Sequence, residues 1–362
     1  MDNRIHASSG WRLHREMKQE TGMKKAYIED IGYYFPGDEL NNNELFAHFK
    51  EWTPEQIEKK TGICVRYIAG KHETAKDMAV KAANVVFARG NCQKGNIDFV
   101  IFCTQSPDYF LPTSACLIQS ELGLPNQCGS FDFNLGCSGY VVGLSLAKGL
   151  IESNSARKIL LLTGETYSKY MHPCDKSVRT IFGDAATATI IGAIDGESNV
   201  DYIGPFVFGT DGAGAESLIV KAGGMRIRKA GADVSPGHEF SDEYLYMDGP
   251  AIFAFTLKVV PGMIAELMQK GNAEDKDIDY YIFHQANKFM LDFLQKKIGI
   301  ASEKFIVDLK FRGNTVSNTI PIVLSDLIRK NGKPKGTVML VGFGVGLSWA
   351  SCMLRFPIIC SK

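Results

Sequence analysis

Three residues of this chain have types and settings suited to acyl chemistry: Cys137 in FDFNLGCSGY, His284 in DYYIFHQAN and Asn314 in FRGNTVSN. A cysteine offers a strong nucleophile and a good leaving group, a histidine a proton carrier or donor, an asparagine an amide donor. Each also has a plainer reading. A free cysteine often serves as a small buried hydrophobe, a lone histidine is often held in a core, and G-N-T is an ordinary turn context. Setting favours the chemical reading for two of them. Cys137 follows a short apolar run and precedes SGYVVGLSLAKGLIE, whose apolar residues recur at helical spacing, so it falls at a strand-to-helix turn. Gly136 and Gly139 relieve crowding at such a bend, and a helix N-terminus predicts a lowered thiol pKa. His284 ends a strand-like run, at the edge where open α/β sheets place ligands.

The elements that must position these residues alternate between strand-like and helix-like. NIDFVIFCTQ (Asn96 to Gln105), KILLLTGE (Lys158 to Glu165) and TVMLVGFG (Thr337 to Gly344) are mostly continuous apolar runs. They fit strands buried on both faces, which requires helices on both sides of a sheet. TSACLIQSELGL, after Pro112, predicts a helix ending near Gly123. An internal repeat runs through the chain. NIDFVIFC resembles DIDYYIFH, displaced by 181 residues from Asn96 to Asp277, and KILLLTGE resembles GTVMLVGF at nearly the same offset. ATATIIGAI (Ala186 to Ile194) resembles LSWASCMLRF (Leu347 to Phe356) as the strand after a glycine turn. A duplicated α/β unit is expected, with its boundary near residues 195–205. GTDGAGAE (Gly209 to Glu216) and KAGADVSPGHE (Lys229 to Glu239) read as surface loops.

Composition narrows the class. The 362 residues are 45% apolar, enough for a large core, and the net charge is zero, which offers nothing to nucleic acid. No apolar run is long enough to span a membrane. Nine scattered cysteines without a C-x-x-C pair argue against a disulfide framework or a metal site and for a reducing cytoplasm. Residues 1–22 are polar and lack the apolar stretch of a secretory signal, so they read as a disordered leader or tail. Residues 23–199 then form a first half carrying the cysteine, and 200–362 a second half carrying the histidine and asparagine.

Cysteine followed 147 positions later by histidine, and then asparagine, is also the order of papain-like proteases. Their C-G-[SA]-C-[WY] signature and usual secretion do not fit this chain, nor does its repeat. FNLGCSGY, FGDAATATIIG, YIFHQAN, RGNTVSNTIP and VGFGVGLSWA together resemble the type III β-ketoacyl-acyl-carrier-protein synthases of the thiolase superfamily, over roughly Lys24 to Phe356. The resemblance implies an α/β thiolase-like fold, a duplicated α-β-α-β-α five-layer sandwich, normally a homodimer. It implies decarboxylative condensation of an acyl thioester with malonyl-acyl carrier protein, without a bound cofactor or metal. Coenzyme A or acyl-carrier-protein thioesters are the substrates. By resemblance Cys137 carries the acyl group, His284 and Asn314 stabilise the enolate, Phe343 shields the decarboxylation, and the Val345 loop supplies an oxyanion donor. Lys60, Lys176 and Asn287 stand at substrate-binding positions, and Leu111 at one that reaches across the dimer into the acyl pocket or simply packs in the core. Lys288, Lys296 and Lys297 either dock an acidic carrier protein or form a solvated helix face.

Three departures stand out. Val345 replaces the middle glycine of the last loop. Gln56 and Lys60 replace an aromatic and an arginine that grip coenzyme A, with Trp52 one helical turn away, and Lys176 replaces another arginine. Lysine keeps the charge but loses the bidentate fork, so a carrier-bound primer is expected to outperform a coenzyme A primer. Other readings are an enzyme of secondary metabolism or cell-surface polymer synthesis with another acyl donor, or a non-catalytic partner subunit. The intact Cys137, His284 and Asn314 argue against the last.

Overall fold

The computed structural model describes residues 23–48, 51–196, 201–229 and 234–357; the expected leader, 1–22, lies outside them. β1 (Lys24–Tyr34) leads to an antiparallel pair, β2 (Asp38–Asn41) and β3 (Val65–Ile68), between which run α1 (Asn42–His48) and α2 (Pro54–Thr61). There follow α3 (Ala75–Phe87), β4 (Phe99–Cys103), α4 (Ser114–Leu122), β5 (Gly129–Phe133), α5 (Gly139–Glu152), β6 (Lys158–Glu165), α6 (Lys176–Arg179) and β7 (Ala185–Asp195). The chain continues through β8 (Ile203–Thr210), β9 (Leu218–Ile219), β10 (Tyr246–Met247), α7 (Gly249–Lys270), β11 (Ile278–Phe283) and α8 (Lys288–Ile298). It closes with β12 (Phe305–Ile306), α9 (Thr319–Asn331), β13 (Thr337–Gly344) and β14 (Ser348–Leu354).

Two five-stranded sheets result, ordered β1-β7-β6-β4-β5 and β8-β14-β13-β11-β12. They match strand for strand. β4 and β11 each pair in parallel with both neighbours, and the remaining pairings are antiparallel. The three repeated sequence pairs are β4 with β11, β6 with β13 and β7 with β14.

Side-chain alternation sorts each strand's residues between layers. On β4 and β6, Val100, Phe102, Leu160 and Leu162 face an outer cluster with Met78 and Ala82 of α3 and Ile118 of α4. Ile101, Ile159 and Leu161 face a middle cluster with Leu144 of α5, Leu324 of α9, and Val338 and Leu340 of β13. α7 and α8 cover the far face of the second sheet through Ile264, Leu267, Met290, Leu291 and Leu294. The layers are therefore helix, sheet, helix pair, sheet, helix, the thiolase-like α-β-α-β-α sandwich that the sequence motifs imply. Both sheets are covered on both faces, which is why their central strands carry no polar alternation.

One sequence reading needs correction. α7, at 22 residues and a mean hydropathy of 1.6, is long and apolar enough to cross a membrane. Here it is an outer-layer helix, and its Ile252, Phe255, Val260, Met263, Ile264 and Leu267 are buried beside the second sheet. Its apolar content comes from covering a sheet, a demand that periodicity alone does not separate from a lipid-facing one.

Candidate active site

Cys137 stands between β5 and α5, two residues before the helix begins, and is buried. Its turn rests on β13. A Cβ added to Gly342 would come within 2.7 Å of the Cys137 carbonyl oxygen, and one added to Gly344 within 2.8 Å of Sγ. Only glycine leaves that room. The backbone N–H groups of Val345 and of Cys137 itself both donate toward the sulfur. Val345 thus supplies its amide to the cysteine despite carrying a side chain.

His284 follows the last residue of β11, and its N–H donates to the Val341 carbonyl at 2.8 Å. Nδ1 lies 2.8 Å from Thr319 Oγ1. The Thr319 hydroxyl can accept from a protonated Nδ1 while donating to the Val316 carbonyl at 3.1 Å, or turn and donate to a bare Nδ1. Asn314 lies in the loop between β12 and α9. Its Oδ1 accepts from the Val316 N–H at 2.9 Å, which turns its Nδ2 toward His284 Nε2, 3.4 Å away. Val316 makes that bond at φ 57°, a conformation a β-branched residue rarely adopts and one that clusters at functional sites. The Phe343 ring lies edge-on to His284, with centroids 5.7 Å apart. Cys137, His284, Asn314, Asn287, Phe343 and Gly344 line one cavity of about 110 Å³.

Burial sets the charges. The Cys137 thiol is pushed up to about 12, first by desolvation and then by the neighbouring Glu165 carboxyl. The expectation of a lowered thiol pKa is therefore overturned: the helix N-terminus contributes about 0.3–1 kcal/mol, less than the cost of burying a charge. His284 is driven down to about 3 by desolvation, against a smaller upward pull from the Val316 carbonyl. Both groups are neutral at pH 7.

The mouth of the site is a cavity of about 470 Å³ lined by Trp52, Lys60, Ser177, Phe253, Asn287 and Phe289. Asn287 caps α8, its side chain accepting from the Met290 N–H at 2.9 Å. Gln56, at the position expected to hold an aromatic, completes a capping box with Thr53 at the start of α2. The aromatic face comes from Trp52 instead, with Lys60 Nζ 3.6 Å from its ring centre and Lys176 Nζ at 5.7 Å. Lys176 is also paired with Glu51. Of the three α8 lysines, Lys288 pairs with Asp292 near the mouth. Lys296 and Lys297 lie exposed in the last turn, roughly 12 Å along the axis. An aromatic cluster missed in the sequence, Phe253, Phe289 and Phe293, stands beside Lys288. Leu111 is 83% exposed, so its core reading fails; with Tyr109 and Phe110 it rims a separate cavity.

Fold and site together define a condensing enzyme of the thiolase-like class, a transferase working through thioesters. The 3-oxoacyl-[acyl-carrier-protein] synthase III model matches residues 131–212, and the model of that family's C-terminal part matches 268–356. A β-ketoacyl-[acyl-carrier-protein] synthase III of Clostridium perfringens is 35% identical over 92% of this chain and 100% of its own length. A solved 3-oxoacyl-(acyl-carrier-protein) synthase III is 50% identical with a TM-score of 0.89, covering 92% of this chain and 100% of that one. The corresponding Burkholderia xenovorans structure is 35% identical with a TM-score of 0.83, covering 92% and 96%. This chain belongs to the 3-oxoacyl-[acyl-carrier-protein] synthase III family.

Proposed function

We propose that this protein condenses an acyl primer with malonyl-acyl carrier protein in fatty acid biosynthesis, through an acyl group held on Cys137. The observation that carries the reading is the one cavity that brings buried Cys137 together with His284 and Asn314, with the Cys137 and Val345 amides beside the sulfur. In loading, Sγ bonds to the primer's thioester carbon; the Cys137 proton passes to the departing thiolate. The two amides hold the negative oxygen formed on the way. In the second half, malonyl thioester loses carbon dioxide; with Nδ1 accepting from the Thr319 hydroxyl, the neutral His284 ring carries its hydrogen on Nε2, and Nε2–H and Asn314 Nδ2 donate to the enolate oxygen. Phe343 keeps that step dry. The new carbanion bonds to the acyl carbon, the Sγ–carbon bond breaks, and the thiolate released takes up a proton from solvent. Each donor of this kind is worth on the order of 100-fold in rate.

Lys60, Lys176 and Asn287 guide the substrate arm at the mouth, and Lys288, Lys296 and Lys297 face the acidic carrier protein. The working form is a cytoplasmic homodimer in which Leu111 meets the partner subunit, a reading its exposed side chain supports. The eight described cysteines are all free, which fits a reducing compartment.

Intact-mass spectrometry with acyl thioesters tests the assignment. Cys137→Ser is expected to fold but gain no acyl mass. His284→Ala is expected to load Cys137 while malonyl decarboxylation falls by about 100-fold or more. Equal loss of both steps would make His284 a general base for the thiol instead.

A further inference from the structure

The two nitrogens of the His284 ring meet different groups. Nε2 faces Asn314 Nδ2 at 3.4 Å. Which end of that amide faces the ring is fixed, because Asn314 Oδ1 accepts from the Val316 N–H at 2.9 Å. The group opposite Nε2 is therefore a donor. If Nε2 is bare, Asn314 donates to it and the two are spent on each other. If Nε2 carries the hydrogen, two donors face one space with no acceptor between them, and an oxygen entering the cavity can take both.

The choice between the two states is made on the far side of the ring. Nδ1 lies 2.8 Å from Thr319 Oγ1. The Val316 carbonyl is a second partner of the ring, and it accepts from the same hydroxyl at 3.1 Å. A carbonyl can only accept, so alone with Nδ1 it draws the hydrogen to that side. A hydroxyl can also donate. Turned to Nδ1, it fills that nitrogen's lone pair and leaves the hydrogen on Nε2. Thr319, Val316 and His284 are all buried, so solvent does not stand in for the hydroxyl. Thr319 opens α9, whose Ile320, Val323 and Leu324 are packed into the middle layer, and this holds the hydroxyl in place.

We propose that Thr319 is a positioning residue that sets the tautomer of His284, its hydroxyl donating to Nδ1 so that Nε2–H and the Asn314 amide both stay free for the malonyl enolate. The assignment rests on the reading of His284 and Asn314 as donors to that enolate. Thr319 does not line the catalytic cavity, so it acts through the ring and not on the substrate. Its effect falls on one half-reaction, because loading draws on the backbone amides of Cys137 and Val345. Without the hydroxyl, the Val316 carbonyl is left to Nδ1, the hydrogen moves to that side, and Asn314 closes on the bare Nε2.

The test measures malonyl-acyl carrier protein decarboxylation and acetyl loading on Cys137 side by side. Thr319→Val, which exchanges the hydroxyl for a methyl group, is expected to lower kcat for decarboxylation by about 100-fold, the worth of a lost oxyanion donor, with little change in KM or in loading. Thr319→Ser, which keeps the hydroxyl, is expected to recover most of that rate. Nitrogen NMR of wild-type enzyme labelled at histidine, with the His284 signal assigned by its loss in His284→Ala, is expected to show the hydrogen on Nε2, a result independent of whether Thr319→Val folds. Hydrogen on Nδ1 in the wild type overturns the assignment. So does a folded Thr319→Val that keeps its decarboxylation rate or loses loading equally, and so does a failure of Thr319→Ser to recover the rate. Full decarboxylation by His284→Ala overturns instead the reading of His284 as a donor, and the role of Thr319 with it.

Discussion

Cys137 and His284 meet as two neutral groups, because their site is dry. A reactive cysteine is usually recognised by a depressed pKa, but in the proposed loading step the thiolate forms only as the substrate arrives, helped by the amides of Cys137 and Val345. Alkylation of Cys137 by iodoacetamide is therefore expected to keep rising with pH well past the ordinary thiol pKa of about 8.5. A rate that levels off near neutrality would show a stabilised thiolate. Cys137 and His284 were visible in the sequence because each sits at the end of an apolar run, and Asn314 entered through its motif. Thr319 was not visible. Its importance comes from a contact between segments far apart in the chain, its hydroxyl on the His284 ring.

At the scale of elements, the mouth shows how a lost motif can be rebuilt nearby. Gln56 spends its side chain capping α2, so the aromatic surface falls to Trp52, just before that helix. A coenzyme A adenine stacking on the face that Lys60 covers must first displace Lys60. On the proposed docking site near Phe289 and Lys288, a carrier protein has no such need. Trp52→Ala is expected to raise the KM for an acyl-coenzyme A primer by about tenfold, the worth of roughly 1–3 kcal/mol of stacking less the lost lysine contact. The KM for the same acyl group on carrier protein should stay unchanged. Steady-state kinetics with both donors checks this, and equal effects on both would remove Trp52 from adenine recognition. The fold's strands were largely legible, because β6 and β13 are apolar along most of their length and the repeat names their partners. α7 was not, since covering a sheet and spanning a bilayer ask for similar apolar content.

At the scale of the molecule, the two matched sheets are tied together by polar contacts through the middle layer. Thr163 donates to Asn318 at 2.6 Å, Ser138 pairs with Ser348 at 2.8 Å, and Ser317 donates to Glu165 at 3.3 Å. Burial raises the Glu165 carboxyl to about 8 from 4.5, so the folded protein holds a proton that the unfolded chain releases. Its stabilising effect is complete below pH 4.5 and is lost as pH rises through about 8. Over that window the wild-type protein should lose stability on the order of 1 kcal/mol per pH unit from this group. Glu165→Gln, which cannot ionise, is expected to flatten the urea-midpoint profile there; an equally steep profile would place the proton elsewhere. The middle layer has one more effect. With α5 and α9 packed against both sheets, neither half can close over a substrate as two hinged domains would. Trp52 and Phe289 wait at a fixed entrance, and Cys137 lies at the end of a fixed passage. The moving part of this enzyme is its substrate: the flexible arm that carries each acyl group must do the travelling, and the protein works as a stationary socket that two different arms visit in turn.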